Sequence, residues 1–187
     1  MACLRRQTVI REHRIDTPLG CLGLIAGPRG LRAVRFPAVR PAARRRDDPS
    51  GDVGPAGPGP VDPAACLLEA ARQLNEYFAG TRTAFELPLD PVGTPFQRAA
   101  WEVLRTIPFG RTISYGEQAA RLGSPKAARA VGAANGRNPL PIVVPCHRVV
   151  GSDGSLVGFA AGTAVKAWLV RHEGILLPGP AAGRRAR

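Results

Sequence analysis

The sequence predicts an α/β protein built from two successive parts, and three observations support this. Between residues 8 and 36, short runs that alternate apolar with polar residues predict β-strands. Asp62-Pro63, an N-cap residue followed by proline, opens an amphipathic run that predicts a helix. From about Gly93 onward the pattern is almost entirely helical. We therefore expect an α/β domain over residues 1–92 and a helical domain over residues 93–178.

Strands are predicted in the N-terminal part over residues 8–15, 22–26 and 31–36, and the turn residues between them predict an antiparallel hairpin or meander. The helix that follows has a predicted apolar face of Leu67, Leu68, Ala71, Leu74 and Phe78, with Cys66 in the core. Residues 37–61 are dense in Pro, Gly, Ala and Arg, so we expect a disordered loop there. A disordered basic tail is expected over residues 179–187.

The C-terminal part contains a helix-turn-helix pattern. Thr94-Pro95-Phe96-Gln97 and Ser114-Tyr115-Gly116-Glu117 are capping-box patterns that open two helices. A stop at Gly123 is followed at once by Ser124-Pro125, which is predicted to start a third helix that ends at Asn135-Gly136. Two short helices joined in this way are typical of helix-turn-helix units.

Charge and cysteine content narrow the function classes. The formal net charge is +12, and arginine supplies nearly all of the positive charge because Lys126 and Lys166 are the only lysines. This balance favours nucleic acid as a partner ahead of an anionic membrane, although an arginine-rich proteome would give it too. No apolar stretch approaches the ~20 residues that span a bilayer, and no signal peptide is visible. With four cysteines, three histidines and no Cys-x-x-Cys pair, we expect no metal site, reduced thiols and a cytoplasmic protein.

The third helix is rich in alanine, with Ala127 and Ala128 near its start and Arg129 at its centre. A helix that reads sequence needs several Arg, Asn or Gln side chains aimed at base edges, and this helix lacks them. DNA contact would therefore be sequence-tolerant, and Arg129 could fill the gap left by an extruded base. The alternative is an alanine-rich packing helix with Arg129 in solvent, and spacing by itself does not separate the two.

Cys146-His147 follows the apolar run Ile142-Val143-Val144 and is the candidate nucleophile. A neighbouring imidazole can take a thiol proton, and Glu173, near the end of a last helix that opens at Thr163, supplies a carboxylate to orient it. The alternative is that Cys146 is an inert core cysteine and His147 a surface imidazole. The turn-rich approach at residues 138–141 and the glycines that follow favour a functional loop, because glycine permits close approach to a ligand.

Residues 141–150, which include Pro145-Cys146-His147-Arg148, resemble the active-site segment of the O6-alkylguanine–DNA alkyltransferases. The resemblance runs from about residue 94 to residue 177, and its further motifs are Ile113-Ser114-Tyr115, residues 125–132, Asn138-Pro139 and His172-Glu173-Gly174. It is weaker in the N-terminal part, around residues 16–20. The resemblance implies a ribonuclease-H-like N-terminal domain and a winged-helix-like C-terminal domain.

The resemblance also implies an activity. Such a protein repairs double-stranded DNA by flipping out O6-alkylguanine and transferring the alkyl group irreversibly to Cys146, once per molecule and without a metal or organic cofactor. His147 would act through a water as the base, and Glu173 would orient it. Asn138 would hold the turn before the cysteine loop. We expect a monomer.

The remaining roles implied by the resemblance concern DNA. Arg129 would replace the flipped nucleotide, and Tyr115 would press on the target phosphate and hydrogen-bond the guanine. The helix would lie in the minor groove through Lys126, Ala127 and Ala128. The flipped base would be bound by Pro141, the Val149 carbonyl, the Ala160 amide and Ala161.

Three departures from the family pattern affect these expectations. Ala161 stands where members usually carry glycine, so an extra methyl group would narrow the pocket against bulky alkyl groups. Asn135 stands where some members have an apolar residue that lines the cleft. Cys3, Cys21 and His13 do not match the zinc ligands that some members carry, so no structural zinc is expected.

Two other functions remain open from the sequence. A non-catalytic sensor would bind and flip an alkylated base without repairing it, and the presence of Cys146 argues against that function. A helix-turn-helix transcription factor is disfavoured by the alanine-rich third helix.

Overall fold

The computed structural model describes residues 10–37 and 59–176. Its contacts divide the chain into two compact units, Met1–Pro95 with Pro139–Val143, and Phe96–Asn138 with Val144–Arg187. The first unit holds a small antiparallel sheet and a helix and the second is mainly helical, which confirms the predicted fold class. Most of the predicted disordered loop, the basic tail and Cys3 lie outside the described residues. Among the described helices, none has the length and hydropathy to cross a membrane.

The sheet of the first unit has three antiparallel strands in sequence order: β1 Arg11–Thr17, β2 Gly20–Gly27 and β3 Gly30–Arg35. Ile15 pairs with Leu22 and Leu24 pairs with Val34, so these buried side chains share one face. The outer edge of β3 is also paired, because Leu31 N donates to Pro88 O and Val34 N donates to Pro139 O, each at 2.8 Å.

Gly30 is required at the start of β3. Its φ is +134°, and a Cβ there would lie 2.2 Å from the carbonyl oxygen of Pro88. Any other residue would displace the chain that pairs with the edge of β3.

Helix α1, Pro63–Phe78, begins at the predicted N-cap, since the Asp62 carboxylate accepts from the amides of Ala64 and Ala65. Three residues of the predicted buried face, Leu67, Ala71 and Leu74, are confirmed, and the rest of the face differs. Leu68 is 64% exposed, whereas Ala70 and Tyr77 are fully buried against the sheet. The prediction is wrong at Leu68, because several apolar residues follow one another here and helical spacing fits more than one stripe. Cys66 is buried, as predicted.

The second unit contains α2 Pro95–Arg105, α3 Tyr115–Arg121, α4 Ala128–Asn135 and α5 Thr163–His172. It also contains a short parallel ladder that the sequence did not predict, between β4 Ile113–Ser114 and β5 Val149–Val150. This ladder ties the start of α3 to the chain that leaves the cysteine.

The helix-turn-helix pair consists of α3 and α4. The predicted capping box of α3 is confirmed, since Ser114 Oγ accepts from Glu117 N at 3.1 Å while Glu117 Oε2 accepts from Ser114 N at 2.6 Å. The predicted start of the third helix is wrong by one turn. Residues Pro125–Ala127 form a 3-10 turn, and the Ser124 side chain makes no capping hydrogen bond.

A buried amide pair connects the helices of this unit. The side chains of Gln118 on α3 and Asn135 on α4 exchange hydrogen bonds of 3.1 and 2.7 Å, and Gln118 Nε2 also donates to Ala100 O on α2. Trp101 Nε1 donates to Ala134 O at 2.9 Å. Asn135 is 3% exposed and pairs with Gln118, so its amide is satisfied by Gln118 within this unit.

We expect Asn135→Leu to lower the free energy of unfolding by about 1–3 kcal/mol, because the buried Gln118 amide loses its partner. Replacing both residues with leucine should cost less than the sum of the two single changes, since no unpaired amide then remains. Urea denaturation of all three variants measures this coupling. Asn75→Leu, at an exposed position of α1, is the control, and strictly additive costs would contradict the prediction.

Candidate active site

Cys146 opens a one-turn 3-10 helix, Cys146–Arg148, that leads into β5. It is 5% exposed, and it follows a turn in which Ile142 has a φ of +76°. Ile142 is the one non-glycine residue with positive φ in the described part of the chain, and a β-branched side chain strongly disfavours that region. The backbone strain at Ile142 therefore lies in the turn that precedes Cys146 along the chain.

The Cys146 sulfur accepts a hydrogen bond from Asn138. Asn138 Nδ2 lies 3.2 Å from Cys146 Sγ and also donates to Val144 O at 2.7 Å, so one amide group fixes both the sulfur and the preceding backbone. Burial raises the pKa of the Cys146 thiol, and the Asn138 hydrogen bond and the charge of Lys166 oppose this only in part. The resting group is therefore a thiol, which needs a base before it can act as a nucleophile.

His147 is fully buried beside Cys146, and its Nε2 lies 2.7 Å from Glu173 Oε1. Burial acts to raise the pKa of Glu173, but hydrogen bonds from His147 and Arg148 outweigh it and hold this pKa at about 2. The ionised carboxylate can only accept, so Nε2 carries the proton and Nδ1 carries the free lone pair. Nδ1 accepts no hydrogen bond from any residue that the structure describes.

The protonation state of His147 suits a base. Burial lowers its pKa, and the neighbouring Glu173 carboxylate raises it only in part. A neutral imidazole with its lone pair on Nδ1 can take a proton from a thiol. The structure thus brings together Asn138, Cys146, His147 and Glu173, four of the five predicted catalytic residues.

Tyr115, the fifth, lies at the start of α3, and its hydroxyl donates to Val157 O at 3.0 Å and to Gly158 O at 3.3 Å. Two effects raise the pKa of this phenol: burial is the larger, and the nearby Cys146 is the smaller. The phenol is therefore a neutral hydrogen-bond donor at physiological pH. Through Val157 O and Gly158 O it contacts the loop between β5 and α5.

The predicted DNA-contact residues lie on the turn and first residues of α4. Arg129 and Lys126 are exposed, and Ala127 and Ala128 are partly exposed. Val131 and Ala134 on the same helix are buried. The helix therefore packs through one face and presents the predicted face to solvent.

The predicted base-binding residues fall in two places. Val149 is in β5, and Ala160 and Ala161 are in the loop before α5, with Ala160 exposed and Ala161 partly buried. Pro141 belongs to the first unit.

Lys166 is a residue of the site to which sequence reasoning assigned no role. It lies on α5, is fully buried, and its Nζ donates to Val149 O at 2.5 Å and to Val157 O at 2.6 Å. Its ammonium group also lies 5.7 Å from the centre of the Tyr115 ring. Desolvation lowers its pKa to about 8, although the nearby Cys146 acts in the opposite direction. One signal was available, because lysine is rare in this arginine-rich chain.

Arg148 is a second residue without a role assigned from the sequence. It is buried, and its guanidinium donates to both oxygens of Glu173, from Nε at 2.8 Å and from Nη2 at 3.0 Å. Sequence reasoning could not find this contact, because the two residues are 25 positions apart and buried arginine is rare.

We expect Lys166→Met to lower the free energy of unfolding by about 2 kcal/mol, since two carbonyl groups lose a charged donor. Amide hydrogen exchange should accelerate in the 151–162 loop, which Lys166 ties through Val157. Lys126→Met is the matched control, because Lys126 is exposed and makes no hydrogen bond among those found in the described residues. Equal exchange in that loop for both variants would show that Lys166 does not hold it.

Comparison with known proteins extends over both units. Residues 95–175 match the family model of the 6-O-methylguanine DNA methyltransferase DNA-binding domain, and residues 10–91 match that of its ribonuclease-like domain. A methylated-DNA–protein-cysteine methyltransferase of Shigella flexneri is 44% identical over 174 residues, 89% of this chain and 96% of the relative. One from Methanosarcina acetivorans is 53% identical over 159 residues, 85% of this chain and 95% of the relative.

A solved structure gives the same result. The crystal structure of Mycobacterium tuberculosis OGT in complex with DNA superposes with a TM-score of 0.72 at 41% identity, covering 87% of this chain and 91% of that one. Two family models that together span most of the chain, and relatives of this identity over nearly their full length, are decisive. The chain belongs to the 6-O-methylguanine DNA methyltransferase family.

Proposed function

We propose that this protein repairs double-stranded DNA by direct reversal, moving the alkyl group of O6-alkylguanine onto Cys146 in a single turnover. The observation that carries the proposal is the buried set of Cys146, His147 and Glu173, in which an ionised carboxylate leaves the lone pair of a neutral imidazole on Nδ1. Membership in a family whose relatives are named methylated-DNA–protein-cysteine methyltransferases supports the same reaction.

The chemical step follows from this arrangement. His147 takes the proton of the Cys146 thiol through a water molecule, and the thiolate attacks the alkyl carbon. A carbon–sulfur bond forms while the bond from that carbon to guanine O6 breaks. The electron pair stays with guanine, which regains its carbonyl group and a proton at N1, so the thiol proton ends on the base. The product is a thioether, which water and thiols do not readily reverse, and each molecule acts once.

Access to the lesion requires base flipping, because a buried thiol cannot reach a base inside a duplex. We assign Arg129 to the gap left in the stack, and Lys126, Ala127 and Ala128 to the minor groove. The exposure of Arg129 on α4 supports this assignment. The small side chains beside it allow a close approach of the helix to the duplex.

We assign the flipped base to contacts with Pro141, the Val149 carbonyl, the Ala160 amide and Ala161, with the Tyr115 hydroxyl hydrogen-bonded to the guanine. The Val149 carbonyl accepts from Lys166, and a carbonyl oxygen has two lone pairs, so it can accept from the base as well. Asn138 holds the sulfur and the preceding backbone. The reaction as written uses no metal or organic cofactor, and we propose that it is carried out by a monomer in the cytoplasm.

Intact-mass measurement tests the proposal directly. After incubation with duplex DNA that carries O6-methylguanine, the protein should gain the mass of one methyl group, on the peptide that contains Cys146. Cys146→Ser should gain none, because a hydroxyl group beside a neutral imidazole is a far weaker nucleophile. With a bulkier alkyl lesion we expect a slower gain, since Ala161 adds a methyl group to the pocket.

A mass gain that survives Cys146→Ser would contradict the proposal. Tight binding to the lesion without any transfer by the unaltered protein would identify a sensor instead.

Arg129→Ala should slow repair in duplex DNA by roughly 10-fold or more, since losing a side chain that fills the stack costs a kcal/mol or more of flipped-state stability. Transfer from the free alkylated base should change little, because no flipping is needed. Arg121→Ala, at an exposed position of α3, is the control. An equal loss on duplex and free base would place Arg129 outside the flipping step.

A further inference from the structure

Arg148 makes four contacts with three described residues of the second unit. Besides its two hydrogen bonds to Glu173, its Nη1 donates to Ile107 O at 2.6 Å, and its guanidinium lies 5.8 Å from the centre of the Phe109 ring. Gly110 N donates to Glu173 Oε2 at 3.2 Å. The Arg148–Glu173 ion pair therefore lies in the protein interior, where further contacts fix both side chains.

In this position Arg148 affects how readily His147 is protonated. A lone carboxylate beside an imidazole favours the imidazolium, because opposite charges attract strongly in a buried site. A guanidinium bound to both oxygens of that carboxylate offsets the attraction. The charged groups that act on His147 are Glu173, which favours its protonation, and Arg148 and Lys166, which disfavour it, in addition to the effect of burial.

We propose that Arg148 is a positioning residue for alkyl transfer, which locks the Glu173 carboxylate and limits how strongly His147 holds a proton. With Arg148 in place, Glu173 orients the ring while Nδ1 stays unprotonated and able to accept the Cys146 proton. Without its charge, Glu173 would draw a proton onto His147 at neutral pH, and an imidazolium cannot act as the base. The consequence for catalysis rests on the proposed function, whereas the effect on His147 does not.

Two features of arginine suit it to this role. Its delocalised guanidinium supplies the positive charge that offsets the Glu173 carboxylate. Its planar fork binds both carboxylate oxygens at once, which a lysine ammonium cannot reproduce. Charge and geometry can therefore be separated by substitution.

The test is an NMR titration of the histidine ring nitrogens in the full chain, which has only three histidines. In the unaltered protein the signals of His147 should show a proton on Nε2 and none on Nδ1 at neutral pH. Arg148→Gln should raise the pH at which His147 becomes an imidazolium by about one unit or more. Arg148→Lys keeps the charge, and its midpoint should stay close to that of the unaltered protein.

Arg105→Gln is the matched control, because Arg105 also pairs with a glutamate, Glu102, at 2.9 Å, but on the surface. It should leave the His147 midpoint unchanged. An unchanged midpoint in Arg148→Gln would overturn the proposal. A rise of a full unit in Arg148→Lys would overturn it as well, so the lysine variant decides if the glutamine variant does not fold.

Alkyl transfer supplies an independent readout. In Arg148→Gln the acidic limb of the pH–rate profile should move to higher pH, whereas in Arg148→Lys the rate should fall with the limb in place. A uniform loss of rate at every pH in both variants would indicate a purely structural role. If the unaltered protein transfers no alkyl group, the proposed function fails, and the titration still tests Arg148.

Discussion

One buried carboxylate organises the second unit. Glu173 is 3% exposed and accepts hydrogen bonds from His147, from two nitrogens of Arg148 and from the amide of Gly110. Burying a carboxylate without such partners would cost several kcal/mol of stability. The elements that supply the donors are therefore held against Glu173. The end of α5, the turn after α2 and the one-turn helix of the cysteine are thereby fixed together. Because His147 and Arg148 follow Cys146 directly, their hydrogen bonds to Glu173 also fix the position of Cys146.

Burial of the site also explains why the Cys146 thiol is unreactive until a substrate is present. Desolvation raises the pKa of Cys146 and lowers that of His147, so both groups are neutral at rest. A neutral pair in a closed site is protected from adventitious electrophiles, which matters for a residue that can be used once. Reaction then depends on a substrate that brings its electrophilic carbon to the sulfur.

Much of this could be predicted from local sequence, and the errors have identifiable causes. Caps are local, so the starts of α1 and α3 followed from Asp62 and from Ser114 with Glu117. The family followed from ordered motifs in the second half of the chain, and the fold class followed from the strand and helix patterns of both parts. Leu68 was placed on the wrong side of α1 because adjacent apolar residues allow two stripes, and the sheet that selects between them is distant in sequence. The pairing of Asn135 with Gln118 could not be predicted, because the two residues are 17 positions apart.

The candidate site shows the same division. Cys146, His147 and Glu173 could be predicted as site residues because their residue types carry the chemistry, and His147 and Glu173 lie in contact. Arg148 and Lys166 could not be assigned roles, because a long charged side chain normally points to solvent and nothing local reveals that it is buried. Their partners are backbone carbonyls and a carboxylate, which have no signature in the sequence.

The position of Glu173 along the chain has a consequence for biosynthesis. A ribosome releases Cys146, His147 and Arg148 well before the end of α5 emerges. Until that helix folds back, Arg148 lacks its carboxylate and His147 lacks the acceptor that selects its tautomer. A nascent or prematurely ended chain therefore carries the cysteine without the groups that prepare it. Chemical competence therefore depends on α5, because Cys146 and His147 are prepared for reaction only after that helix has folded back.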